Sequence, residues 1–128
     1  LLESFLCEPE WDEAAEISNI QTVLSVDEAE GTPVVTVSIK GQGRMKTGQI
    51  NSVGQQYQVA QRMEKHITAN LQETAARLRE EYGVDITNSY VSLGGLNRGL
   101  YWKYQNRPQE YNKRVEHVFE VDIEILDW

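Results

Sequence analysis

Hydrophobic and polar residues follow two repeats along this chain. At 20–26, Ile20, Thr22, Leu24 and Val26 recur at every second position, the repeat of a strand with one covered face. At 34–45, Val35, Val37 and Ile39 alternate with Thr36, Ser38 and Lys40, which predicts a second strand. The polar stretch 27–33 between them ends in Gly31-Thr32-Pro33 and predicts a reversal through a loop longer than the two-residue minimum. The last strand is the clearest. At 117–125, His117, Phe119, Val121, Ile123 and Ile125 alternate with Val118, Glu120, Asp122 and Glu124, as expected of an antiparallel sheet wet on one side.

The period changes in the middle of the chain. Tyr57, Ala60, Met63, Ile67, Leu71, Ala75, Leu78 and Tyr82 are spaced by three or four and form one apolar stripe. Ser52-Val53-Gly54-Gln55 fits a capping box ahead of that stripe, and Gly83 supplies a left-handed residue behind it. At 1.5 Å per residue the helix 53–82 would be about 45 Å long, enough to cross a sheet. After Val84-Asp85-Ile86-Thr87-Asn88, the stretch Leu93-Gly94-Gly95-Leu96 is expected to be a flexible joint. Short helices are expected at Leu100-Tyr101-Trp102-Lys103-Tyr104 and from Pro108 onward. The elements add up to an α+β domain: an antiparallel sheet of 20–26, 34–45 and 117–125, with one long helix and several short ones on one face.

Charge divides the chain. No basic residue precedes Lys40, whereas nine acidic ones do, and from Lys40 onward 12 basic residues face 11 acidic ones. Residues 1–19 therefore read as an acidic leader or linker ahead of a single domain at 20–128, with Phe5, Leu6 and Trp11 as its apolar exceptions. The net charge of −8 argues against a nucleic-acid binder, which needs a basic face to displace counterions. No apolar run approaches the roughly 18–20 residues of a membrane span. A lone cysteine, Cys7, excludes an internal disulfide framework and a cysteine zinc cage. Leu6 stands where a small residue would precede a lipid-bearing cysteine, so Cys7 is not expected to carry a lipid.

Catalytic constellations are hard to find. His66 and His117 have no His or Cys at ligand spacing, so no metal is expected, and no other cofactor is implied. Ser92 precedes Gly94 and Gly95 without forming a nucleophile elbow. Gly41 and Gly43 flank Gln42 but lack the third glycine and the following helix of a dinucleotide loop, so a bulge or bend is the better reading. Asp85, between Val84 and Ile86, would need an acid–base partner to do chemistry. Capping free amides of the turn after Gly83 is the favoured role. Tyr90, Tyr101, Trp102, Tyr104 and Tyr111 form an aromatic cluster. Aromatic residues of short helices fasten them to a sheet or to a partner, so core or interface is the favoured reading, with Tyr101, Trp102, Tyr104 and Tyr111 as the candidate interface residues and a small-ligand platform built on 100–111 as the alternative.

The order of elements now resembles a known family. A hairpin, a long helix ending in Tyr82-Gly83-Val84-Asp85-Ile86, the segment Leu100-Tyr101-Trp102-Lys103-Tyr104, a charged helix and a final alternating strand are similar to the C-terminal domain of the Ger(x)C family. These are the lipoprotein C subunits of spore germinant receptors. Where that family carries a glycine after the aspartate, this chain has Asn88, which tolerates the left-handed conformation. Tyr111 stands for the family's tryptophan before the last strand and Val115 for the phenylalanine that follows. The basic-Thr-Gly ending is replaced by Leu126-Asp127-Trp128. The resemblance implies a non-enzymatic, membrane-tethered, extracytoplasmic subunit that assembles with membrane-embedded A and B subunits, its lipidated cysteine lying upstream.

Overall fold

Strand, strand, long helix, short helices, strand is the order that emerges in the computed structural model, which describes residues 15–45 and 53–126. The elements are β1 (Ala15–Ala29), β2 (Thr32–Met45), α1 (Val53–Tyr82), a 3-10 turn (Ser89–Ser92), α2 (Leu93–Leu96), α3 (Arg98–Lys103), α4 (Pro108–Arg114) and β3 (Glu116–Ile125). The α+β class and the long covering helix agree with the sequence reading. β1 begins at Ala15, so Ala15 to Asn19, expected in the acidic leader, belong to the sheet. Ser52, the capping residue of the expected box, and Phe5, Leu6, Cys7 and Trp11 lie outside the described residues.

The sheet corrects the expected topology. β1 and β2 pair antiparallel, but β2 and β3 pair parallel, giving a mixed sheet in the order β1-β2-β3. The reason lies in α1. Glu64, early in the helix, bonds Ile123 late in β3, and Arg79, late in the helix, bonds the carbonyl of Val115 just before β3. The helix therefore runs back along the sheet and returns the chain to the end at which β2 started. The next strand must then run parallel to β2, the logic of a strand–helix–strand crossover.

The hairpin also differs from expectation. Ala29 pairs with Thr32, so the loop is only Glu30-Gly31, with φ of 52° and 84°. Positive φ at both central residues is the mirror-image turn whose twist suits adjoining strands. A second irregularity lies in β1. Its register slips between Ser18 and Gln21, where Asn19 takes φ 52° and its side-chain amide donates to Gln42 Oε1 at 2.6 Å. The bulge is thus in β1, opposite Gly41, while Gly43 pairs regularly with Ile17. Those glycines serve a packing need: a Cβ on Gly43 would come within 2.8 Å of Ile125 Cδ1.

One face of the sheet is filled. Val26, Val35, Val37, Ile39, Phe119, Ile123 and Ile125 meet Val59, Ala60, Met63, Ile67, Leu71 and Ala75 of α1 in one core. Of the predicted stripe, the interior positions are buried or packed against the core, whereas Tyr57 and Tyr82 at its ends are exposed. The short helices extend the core with Ile86, Leu93, Leu100, Tyr104, Tyr111 and Val115. Leu93-Gly94-Gly95-Leu96, expected as a flexible joint, is a helical turn, because Leu93 is fully buried and anchors it. Both sheet edges receive side-chain partners: Glu64 accepts from Ile123 N–H on β3 at 3.1 Å, and Asn97 donates to Val26 C=O on β1 at 2.8 Å. Such capping discourages edge-to-edge pairing.

Candidate functional site

Asp85 is placed by the end of α1. Gly83 takes φ 63°; its N–H bonds Arg79 C=O at 3.0 Å, and the N–H of Val84 bonds Leu78 C=O at 3.1 Å. This double closure ends the helix with a left-handed residue and turns the chain inward. Asn88 closes the next turn at φ 53°, donating its N–H to Asp85 C=O at 3.0 Å. Asp85 is held between the two turns and points into the protein.

Its carboxylate is fully engaged. Oδ1 accepts from Thr87 N–H at 2.8 Å, from Thr87 Oγ1 at 2.7 Å and from His117 Nε2 at 2.6 Å. Oδ2 accepts from Ser89 N–H at 3.1 Å and from Ser89 Oγ at 2.5 Å. Burial would raise the acid's pKa, yet the hydrogen bonds from His117, Ser89 and Thr87, with the imidazole charge, hold it well below the usual carboxylate range.

The bonds also fix directions. Ser89 gives its hydroxyl proton to Asp85, so its oxygen must accept from the Tyr111 hydroxyl 2.7 Å away. Protons therefore point along Tyr111, Ser89 and Asp85 in series. Burial, opposed by the Ser89 contact and reinforced by the charges of Asp85 and Tyr104, pushes the Tyr111 phenol up to about 12. Nε2 of His117 must likewise carry a hydrogen, while its ring stacks on Phe119 at 5.9 Å. In a nucleophilic relay the histidine stands between serine and acid. Here the acid stands between serine and histidine.

The structure divides the aromatic candidates. Tyr104 and Tyr111 are interior, which corrects their assignment to an interface. Their rings pack edge-to-face at 5.5 Å, and Tyr90 lies 5.5 Å from Tyr111 while donating its hydroxyl to Tyr104 C=O. Lys103 and Arg107 cover the Tyr104 ring at 5.8 and 5.6 Å. The Tyr104 and Tyr111 rings are thus taken up inside the fold. Tyr101 and Trp102 remain at the surface, 38% and 62% exposed, and touch each other edge-to-face at 5.4 Å.

His117, Ser89 and Thr87 are the partners that sequence reasoning did not pair with Asp85. The spacing Asp85-x-Thr87-x-Ser89, short hydroxyls two and four residues after an aspartate, is a local side-chain turn signal that marks two of them. Nothing local marks His117. Among the described residues, no three His, Cys, Asp or Glu side chains gather to hold a metal, and no helix is long and apolar enough to cross a membrane.

The family model for the spore germination B3/GerAC-like C-terminal region matches residues 4–127. No curated protein matches the chain significantly. The crystal structure of the GerBC protein has the same fold, with a TM-score of 0.76 at 17% identity over 91% of this chain. The chain spans 39% of that protein's length.

Proposed function

The chain belongs to the spore germination B3/GerAC-like C-terminal family, and on that premise we propose that it is a non-enzymatic assembly domain of a germinant-receptor C subunit. It acts outside the cytoplasmic membrane, beside membrane-embedded subunits. One observation carries the non-enzymatic part: both oxygens of the buried acid are consumed by Thr87, Ser89 and His117 inside the fold. A group so fully bonded and so strongly held as a carboxylate is a poor proton donor near neutral pH. Asp85 and Asn88 thus act as turn residues that lock the helical segment onto β3. Contact, not turnover, is what the surface offers, and Tyr101 and Trp102 are the two aromatic candidates that reach it.

The test is co-purification. Affinity-tagged full-length protein, extracted in mild detergent, should retain the multi-span subunits encoded with it. Deleting this domain should release them. Undiminished retention after the deletion would sink the assembly reading.

A further inference from the structure

The exposed aromatic pair lies where the chain's charge turns positive. Residues 93–114 hold five basic side chains and one acidic one, in a chain of net charge −8. Arg98 stands one helical turn before Trp102, hence on the same side of α3, and it is exposed and forms no ion pair among the described residues. Lys103 bonds Glu28 at 3.0 Å, while Arg107 and Arg114 share Glu110, so a positive surplus survives the local pairing.

The patch stands on a rigid base. Leu100 and Tyr104 of the same segment are buried. Asn97 caps α3 by accepting from Leu100 N–H at 3.1 Å, and its amide ties the helix to Val26 of β1. The Tyr101 ring lies against Gly94, where an added Cβ would sit 3.5 Å from it. Little freedom is left to lose when something binds there.

We propose that Arg98, Tyr101 and Trp102 dock this domain onto an anionic lipid surface. Tryptophan and tyrosine rings settle at the headgroup level of a bilayer, and arginine binds phosphate through paired N–H groups. Two rings and one guanidinium are far too small for a stable protein interface, which buries roughly 1,200–2,000 Å² in total. A lipid surface needs no shape-matched partner. α3 has only six residues, so it does not lie down as an amphipathic helix. Its contact is shallow and adds to whatever else holds the protein at the membrane. The proposal rests on the membrane-side location given above and names what the patch faces there.

Co-sedimentation of the purified chain with phosphatidylcholine vesicles containing about one third phosphatidylglycerol tests it. Binding should exceed that to pure phosphatidylcholine and weaken with salt. Arg98→Gln should weaken it about fivefold, the factor expected for one basic residue at such a surface. Trp102→Ala should weaken it at least as much, with the circular dichroism of the fold unchanged. Tyr82→Ser, an exposed ring elsewhere, should bind as the parent does. Equal binding by Trp102→Ala and the parent, or no preference for anionic vesicles, would overturn the proposal. So would Trp102→Ala abolishing subunit co-purification in detergent while vesicle binding is absent, since the patch would then meet protein. A parent chain that fails to bind anionic vesicles while subunit co-purification is intact removes only this proposal; vesicle binding by the parent with co-purification undiminished after deletion of the domain removes only the assembly reading.

Discussion

The carboxylate of Asp85 and the imidazole of His117 meet at 2.6 Å although 32 residues separate them, and both side chains are nearly sealed from water, at 1% and 3% exposure. That contact joins the turn after α1 to the start of β3. Through Ser89 and Tyr111 it also reaches the 3-10 turn and α4. Four elements thus converge on one acid, which makes it the obvious place to probe the fold.

Asp85→Asn should be severely destabilising. An amide accepts through one oxygen only and turns an N–H toward groups that already donate, leaving buried donors unpaired. The expected loss is about 3–5 kcal/mol, as for breaking a buried charged pair from one side. Urea unfolding checks it; a loss below about 1 kcal/mol would show that the network contributes little.

Stability should form a plateau between two pH limits. The Asp85 carboxyl is depressed in the folded state, so its contribution is present above its ordinary value of 3.8 and lost as pH falls below it. The Tyr111 phenol is raised from 10.0 to about 12, so its contribution is present below pH 10.0 and lost as pH climbs toward 12. Urea melts across pH should show both limbs. Tyr111→Phe should abolish the contribution of this phenol to the alkaline limb, and Asp85→Asn that of this carboxyl to the acid limb.

The helix face is tested at Leu71, which is completely buried. Leu71→Ala should cost about 2–5 kcal/mol, and Leu71→Asp more, since an unpaired charge would enter the core. Tyr57→Ser and Tyr82→Ser, at the exposed ends of the same stripe, should stay within about 0.5 kcal/mol of the parent. Thermal melting of the four variants separates the two groups.

Asn88 sits at φ 53°, where a branched side chain is strained. Asn88→Val should cost about 1–2 kcal/mol, while Asn88→Gly should be nearly neutral. Chemical denaturation of both would show whether backbone conformation sets the cost. Equal losses would instead implicate the asparagine side chain.

Much of this fold is legible in the sequence because it is written in local periods. The stripe from Ala60 to Leu78 and the alternation through Phe119, Val121 and Ile123 reflect burial, which leaves a repeat in the residues themselves. Strand direction leaves no such mark. The alternation of β3 is the same whichever way it runs, and only the return path of α1 decides. The hairpin looked long because Glu30 is an unusual residue at positive φ. In the Asp85 cluster, Thr87 and Ser89 lie close in sequence and carry a recognisable spacing, whereas His117 is brought in by tertiary structure alone. Tyr104 and Tyr111 have the same composition signature as Tyr101 and Trp102, and only packing tells plug from surface.

The parallel union of β2 with β3 has a consequence for biosynthesis. Ser38 and Glu120 stand side by side at 82 residues' separation, so the middle strand cannot gain its second neighbour until nearly the whole domain has left the ribosome. A nascent chain halted after Arg114 would carry a hairpin with one bare flank and a helix lacking the strand on which it lies. Such a species is primed to stick to its own kind, and the ten residues of β3, Glu116–Ile125, are what end that exposure.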